Sequence, residues 1–211
     1  MKKIMFNDRY GLTQAVIEGR KTMTRRLINP MPKDCATTHK NCWGADWSDK
    51  PMSLVVDRDT GGIYCKYCGN GVRLYDGGYH YKAKYKVGEV VAVAQSYNEV
   101  VREFTSLALV PGSTNKMFVK AELMPHQINI TGIKCERLYD ISEADCLKEG
   151  VRVEFVRNNV PRYYYLDFKR QIKVWFDTPR EAFASLIDKV SGYGTWQRNP
   201  WVVAYEFELV K

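Results

Sequence analysis

Glu18-Gly19-Arg20-Lys21-Thr22-Met23-Thr24-Arg25-Arg26 joins the end of an amphipathic helix to the start of a strand. Upstream of it, Leu12, Ala15, Val16 and Gly19 recur at i, i+3, i+4 and i+7, one face of a helix. Gly19 stands where that helix stops, a place where a left-handed residue is often needed. Downstream, period-2 alternation places Lys21, Met23 and Arg25 on one face of a strand and Thr22, Thr24 and Arg26 on the other. A regular strand would separate Lys21 from Thr24, so the two share a site only if the backbone turns or bulges between them. A lysine and hydroxyls beside a helix end suit an anionic or polar ligand. The plainer alternative is a helix stop followed by an exposed basic strand.

Working outward, Ile4, Met5 and Phe6 predict a short first strand. Residues 29–84 lack a helical period. They carry Pro30, Pro32, Gly61-Gly62 and Gly77-Gly78 with scattered aromatics, the pattern of an inserted subdomain of turns and short strands. The small apolar run from Val90 to Tyr97 predicts a strand buried on both faces. Met117–Ala121 and Ile128–Tyr139 predict two more, with a bend at Gly132 in the second. Ile141–Gly150 is a short helix with Ser142 as N-cap, Asp145 as the acidic capping-box partner, an Ile141/Cys146 staple and Gly150 as the stop. Val151–Val156 alternates like a strand, and residues 162–176 are rich in Tyr, Lys and Arg. Thr178-Pro179-Arg180-Glu181 opens a longer helix with an apolar face of Phe183, Leu186, Ile187 and Val190. The alternating stretch Trp201–Val210 closes the chain as a strand. Several strands with few helices predict an α+β fold, a small mixed β-barrel with flanking helices and a cysteine-containing insertion.

The 211 residues suit one domain with a large insertion, or one domain plus a small satellite; the expectation is a single domain with residues 29–84 as its insertion. A formal charge of +8 favours an anionic partner, with nucleic acid first. The sequence shows no apolar run of the ~20 residues that cross a membrane and no apolar secretory leader. The expected location is therefore cytoplasmic, where the six cysteines are not expected to form disulfides.

Three groups of residues carry chemistry. Cys35-x6-Cys42 and Cys65-x2-Cys68 could close a tetrahedral structural zinc site, with His39 able to replace Cys35 or Cys42. Such a site would stabilise the insertion. The alternative is buried or free cysteines beside a small aromatic core. A second set is Lys21, Thr24 and Glu149, a lysine, hydroxyl and carboxylate that could activate the hydroxyl or a water. Spacing alone does not bring Glu149 to Lys21, and a solvated Glu149 in a last helical turn is the alternative. The third set is cationic. Arg20, Arg25 and Arg26, with Arg162, Lys169, Arg170 and Lys173, could meet phosphates, while Tyr163, Tyr164, Tyr165 and Trp175 could stack on bases. The competing account is core plus solvated face. The sequence contains no phosphate loop and no GxSxG, and His39, His80 and His126 show no ligand or triad spacing.

Four stretches, in order, resemble one family. Gly19-Arg20-Lys21-Thr22-Met23-Thr24-Arg25 is similar to the GRKTxTxR signature of the ASCH domain (activating signal cointegrator homology). Tyr85–Val93 resembles its vGD.l.V strand, and Ile141–Gly150 its iSeeDa..EG helix. Trp196–Val202 resembles the W..NPWVW close of the larger phage- and prophage-type members. The resemblance implies a PUA-like β-barrel and a nucleic-acid or modified-nucleoside ligand in a cleft beside Lys21 and Thr24. Some small members are amidohydrolases that deacetylate N4-acetylcytidine with a lysine, a threonine and a glutamate; by motif these roles fall on Lys21, Thr24 and Glu149. Two departures stand out. The small deacetylases lack the cysteine-bearing insertion, and the VRETW strand of larger members is here Val93-Ala94-Gln95-Ser96-Tyr97. The expected function is nucleic-acid or nucleoside binding, with amidohydrolase activity as the first alternative. A protein-docking role for the insertion is the second. Fold alone does not choose among them.

Overall fold

The computed structural model describes residues 1–28, 53–67, 69, 81–103 and 115–210. The chain is α+β. In order it forms β1 (Lys3–Ile4), α1 (Leu12–Ile17), β2 (Met23–Leu27), β3 (Leu54–Val56), β4 (Ile63–Cys65), β5 (Val90–Val93), α2 (Tyr97–Glu103) and β6 (Gln127–Arg137). There follow α3 (Glu143–Lys148), β7 (Arg152–Val156), β8 (Val160–Asp167), β9 (Ile172–Phe176), α4 (Pro179–Ser191), α5 (Thr195–Arg198) and β10 (Trp201–Leu209). The main sheet has the order β1-β5-β6-β10-β2, β3 pairs with β4, and β7-β8-β9 make a third sheet. Among the described residues none of the three closes on itself, so the expected barrel is replaced there by open sheets sharing a core.

The longest-range organiser is β10. It lies antiparallel between β6 and β2, and Trp201 to Tyr205 are buried without a break because both of its faces are covered. Val203, Tyr205 and Phe207 enter the larger core with Ile4, Phe6 and Leu186, while Val202 enters a second core with Cys146, Phe183 and Ile187. The bend expected at Gly132 is a bulge. Glu206 faces Gly132 but Phe207 faces Ile130, so β6 carries one extra residue there.

Local chemistry explains most helix ends. Ser142 accepts from the Asp145 backbone N–H at 3.1 Å, and Ile141 and Cys146 share one apolar cluster. Thr178 and Glu181 form a reciprocal capping box, with Pro179 in the first turn of α4. Two expectations need correction. The strand from Val90 stops at Val93, and Ser96 starts α2: its Oγ accepts from the Glu99 N–H at 3.3 Å while Glu99 accepts from the Ser96 N–H at 2.6 Å. Met117–Ala121 is not a strand. The carbonyls of Lys116, Met117 and Val119 converge on the Lys3 ammonium instead of facing a neighbouring strand. Of the insertion, the β3–β4 hairpin and a bridge from Gly62 to Lys82 belong to the described residues; Cys35, Cys42 and Cys68 lie outside them.

Gly150, at φ 107°, ends α3 with a backbone that L side chains rarely adopt. A Cβ there would stand 3.0 Å from Leu12 Cδ2 and 3.6 Å from Lys21 Cδ. Gly192, at φ 104°, has open space around the same position. Gly150→Ala should therefore lose about 1–3 kcal/mol in urea denaturation from backbone strain and contact together. Gly192→Ala, with strain alone, should lose less.

Candidate functional site

The turn after α1 sets the position of Lys21. Gly19 takes φ 70°, and the Lys21 N–H returns to the Ala15 carbonyl at 2.9 Å. The Thr22 N–H then donates to the Lys148 carbonyl at 3.0 Å, fastening this segment to the end of α3. β2 begins only at Met23, so Lys21 precedes the regular alternation that would have separated it from Thr24. Glu149 caps the C-terminus of α3, and the bare Cα of Gly150 lets Lys21 approach it.

Lys21 is 2% exposed and Glu149 is 5% exposed. The Lys21 ammonium donates to Glu149 Oε2 at 2.7 Å, the Glu149 carbonyl at 2.6 Å and the Met23 carbonyl at 2.7 Å. Three acceptors match its three N–H donors. Burial pushes the Lys21 pKa down, and the Glu149 carboxylate pulls it back only in part, so it lies below the ordinary lysine value. The ammonium also stands 5.8 Å from the centroid of the Phe6 ring.

Arg25 holds the other side of Glu149. Its guanidinium donates to Glu149 Oε1 at 3.1 Å, to Glu136 at 2.7 Å and to Asp145 at 2.9 Å. Lys134 adds ion pairs to Glu136 at 3.0 Å and Asp145 at 3.1 Å. Three carboxylates thus face the three cations Lys21, Arg25 and Lys134. The register explains the convergence: Ala204 pairs with Arg25 on one side and Lys134 on the other. This small residue lets the two long cations meet α3 across it.

Lys21, Thr24 and Glu149 line one cavity of about 260 Å³, together with Arg25 and Arg26. Its apolar wall includes Phe6, Leu12, Leu186 and Ile187. β2 is the outer strand of its sheet, so side chains from both of its faces reach a cavity along that edge. The volume lies just under the roughly 300–1,000 Å³ usual for small-molecule sites.

The basic residues separate into different roles. Arg25 has a side chain with 0% exposure, so a phosphate at the surface cannot reach it. Arg20 pairs with Glu18 outside the cavity lining. Arg26 is half-buried, donates to the Met5 carbonyl and lies 5.7 Å from the Phe6 ring centroid. Asp145, expected as the acidic capping-box partner of Ser142, takes from Ser142 only the bond through its own backbone N–H and spends its carboxylate on Arg25 and Lys134 instead. Glu136 and Lys134 were not marked in the sequence, and Phe183, Leu186, Ile187 and Val190 were marked only as an apolar helix face, not as a cavity wall. The i, i+3, i+4 stripe of α4 carried a signal that core packing alone would also give.

On the outer sheet, Tyr164 is buried under Trp175, their ring centroids 4.7 Å apart. Lys173 lies over both rings and pairs with Glu154. Tyr165 is in the core. Cys65 is buried on β4, and among the described residues no three His, Cys, Asp or Glu side chains gather as metal ligands. Among the described residues, too, no helix is long and apolar enough to cross a membrane.

Comparison with protein-family models, with curated proteins and with solved structures gave no match in any of the three. The chemistry of the site therefore rests on its own geometry.

Two stability measurements test the buried network. Glu149→Ala leaves Lys21 and Arg25 facing a lost charge and should cost about 3–5 kcal/mol in urea denaturation. The paired change Lys21→Met/Glu149→Gln should cost less than Glu149→Ala alone. The second concerns pH. Burial pushes the Asp145 carboxyl up, but hydrogen bonds from Lys134 and Arg25 outweigh it and hold the pKa below the ordinary value. A depressed acid contributes fully above its unfolded value near ~3.9 and loses that contribution as pH falls through the folded value. The Tm should therefore fall as the pH drops below about 4, and Asp145→Asn should flatten that acid limb.

Proposed function

We propose that this is an ASCH-type protein that takes a single modified nucleoside into the cavity beside Lys21 and Thr24. The observation that carries the reading is the convergence of Lys21, Thr24 and Glu149 on one cavity. The cavity is polar at its Lys21 end and apolar along α4, a division that suits a planar base with one hydrogen-bonding edge. Its size favours one nucleoside over a duplex. Burial of Arg25 argues in the same direction, because the stretch of cations is not a continuous phosphate-binding surface. The ASCH-like order of motifs supports a nucleoside as the ligand. A structural zinc in the cysteine-bearing insertion belongs to the same proposal.

A second reading, amide hydrolysis, is favoured by the buried lysine–carboxylate pair in the cavity that Thr24 also lines. An N4-acylated cytidine would place its acyl carbonyl near the Thr24 hydroxyl. The hydroxyl, or a water beside it, adds to the carbonyl carbon. Its proton passes to Lys21 once that lysine has given a proton to Glu149. Burial lowers the cost of this step because it disfavours the charged ammonium. The C–N bond breaks as the pair returns a proton to the departing amine. With water as the final acceptor of the acyl group, the products are the free nucleoside and a carboxylate.

The test uses N4-acetylcytidine and cytidine as probes, with calorimetry for binding and chromatography for turnover. Thr24→Val is the variant of choice, because it removes the hydroxyl and leaves the Lys21–Glu149 pair intact. Wild-type turnover that falls at least ~100-fold in Thr24→Val supports hydrolysis. Binding without turnover supports the first reading alone. Failure of both probes to bind overturns the nucleoside assignment.

A further inference from the structure

A second cavity, of about 370 Å³, shares no lining residue with the first. Asp8, Gln14, Gln95 and Glu99 supply its polar wall, and Ile17 and Phe168 its apolar one. Gln95 is 6% exposed, and its Oε1 is a buried acceptor with no hydrogen-bond partner. A buried amide oxygen left unmatched in this way calls for a donor, and Gln95 belongs to the wall of this cavity. The neighbouring groups also present acceptors. Glu99 spends Oε2 on Ser96. Asp8 uses Oδ1 for Lys116 and Thr13. Gln14 gives its N–H to Glu18, which leaves its carbonyl oxygen.

We propose that this cavity binds an alkyl guanidinium. Two carboxylates and an unmatched amide oxygen select a cation with several N–H donors. A guanidinium presents five in a planar fork, which suits spread acceptors better than the point charge of an ammonium. Phe168, 52% exposed, lines the same cavity with an aromatic ring on which a cation can rest, and Ile17 lines it beside the aliphatic stem. With Lys116 paired to Asp8, the site keeps the negative charge of Glu99 within a chain of net charge +8, so it selects against phosphate-bearing ligands. The guanidinium can belong to a free small molecule or to an arginine side chain of a partner.

The experiment is calorimetric titration of the whole protein with agmatine, with a short peptide carrying one central arginine, and with the same peptide carrying citrulline. Agmatine or the arginine peptide should bind, and the uncharged citrulline peptide should bind at least ~10-fold more weakly than its arginine counterpart. Gln95→Leu should weaken binding by a similar factor without lowering the Tm, since it removes the unmatched acceptor. Phe168→Ala, at an exposed position, serves the same purpose should Gln95→Leu fail to fold. Tighter binding of the peptide identifies a partner's arginine; tighter binding of agmatine identifies a free small-molecule guanidinium. The proposal is overturned if neither cation binds at about 10 mM, or if both bind Gln95→Leu and Phe168→Ala as well as the wild type. N4-acetylcytidine binding should be unchanged in both variants, which separates this site from the nucleoside cavity.

Discussion

The contact between Arg25 and Glu149 ties the molecule together. A fully buried guanidinium is tolerated only if its donors find charged partners. Here Glu136 comes from β6, and Asp145 and Glu149 come from α3. One side chain on β2 therefore fixes the distance between sheet and helix. It also fixes which way Glu149 turns, because one carboxylate oxygen faces Arg25 and the other faces Lys21. The cavity wall follows from that division.

Around this network the apolar packing is conventional, and it explains why the cavity lies along β2. The sheet ends at β2, and α4 lies beside that edge with Leu186 and Ile187 facing it. A cavity between a sheet edge and a helix has a polar side, supplied by charges at the edge, and an apolar side, supplied by the helix stripe. The second cavity has a different origin. It is bounded by α1 and the turn before it, the start of α2 and the turn at Phe168, and its polar character comes from Asp8, Glu99 and the unmatched amide of Gln95.

What the sequence revealed depended on how local the responsible interaction was. The caps of α3 and α4, the stop at Gly19 and the bulge at Gly132 were legible because each rests on residues within a few positions or on a single glycine. Ser96 and Glu99 carried an equally local signal for α2, hidden by the small apolar run before them. Met117–Ala121 misled because the Met117 and Val119 carbonyls are satisfied by Lys3, a partner more than a hundred positions away. The candidate site divides in the same manner. The ASCH-like motif marked Lys21, Thr24 and Glu149. The burial of Arg25 was not legible, because Glu136 and Asp145 are placed by strand register and helix docking.

The strand order also constrains biosynthesis. β2 emerges early, yet its hydrogen-bonded neighbour in the sheet is β10, residues 201–209. Lys21 likewise waits for Glu149, a sequence separation of 128 residues. During translation, Lys21 and Arg25 remain on an open edge before Glu136, Asp145 and Glu149 have been made. High contact order of this kind slows folding and prolongs exposure to wrong partners. Until β10 has been made, β2 therefore has no strand to pair with among the described residues. It withdraws into the protein only when the two pair.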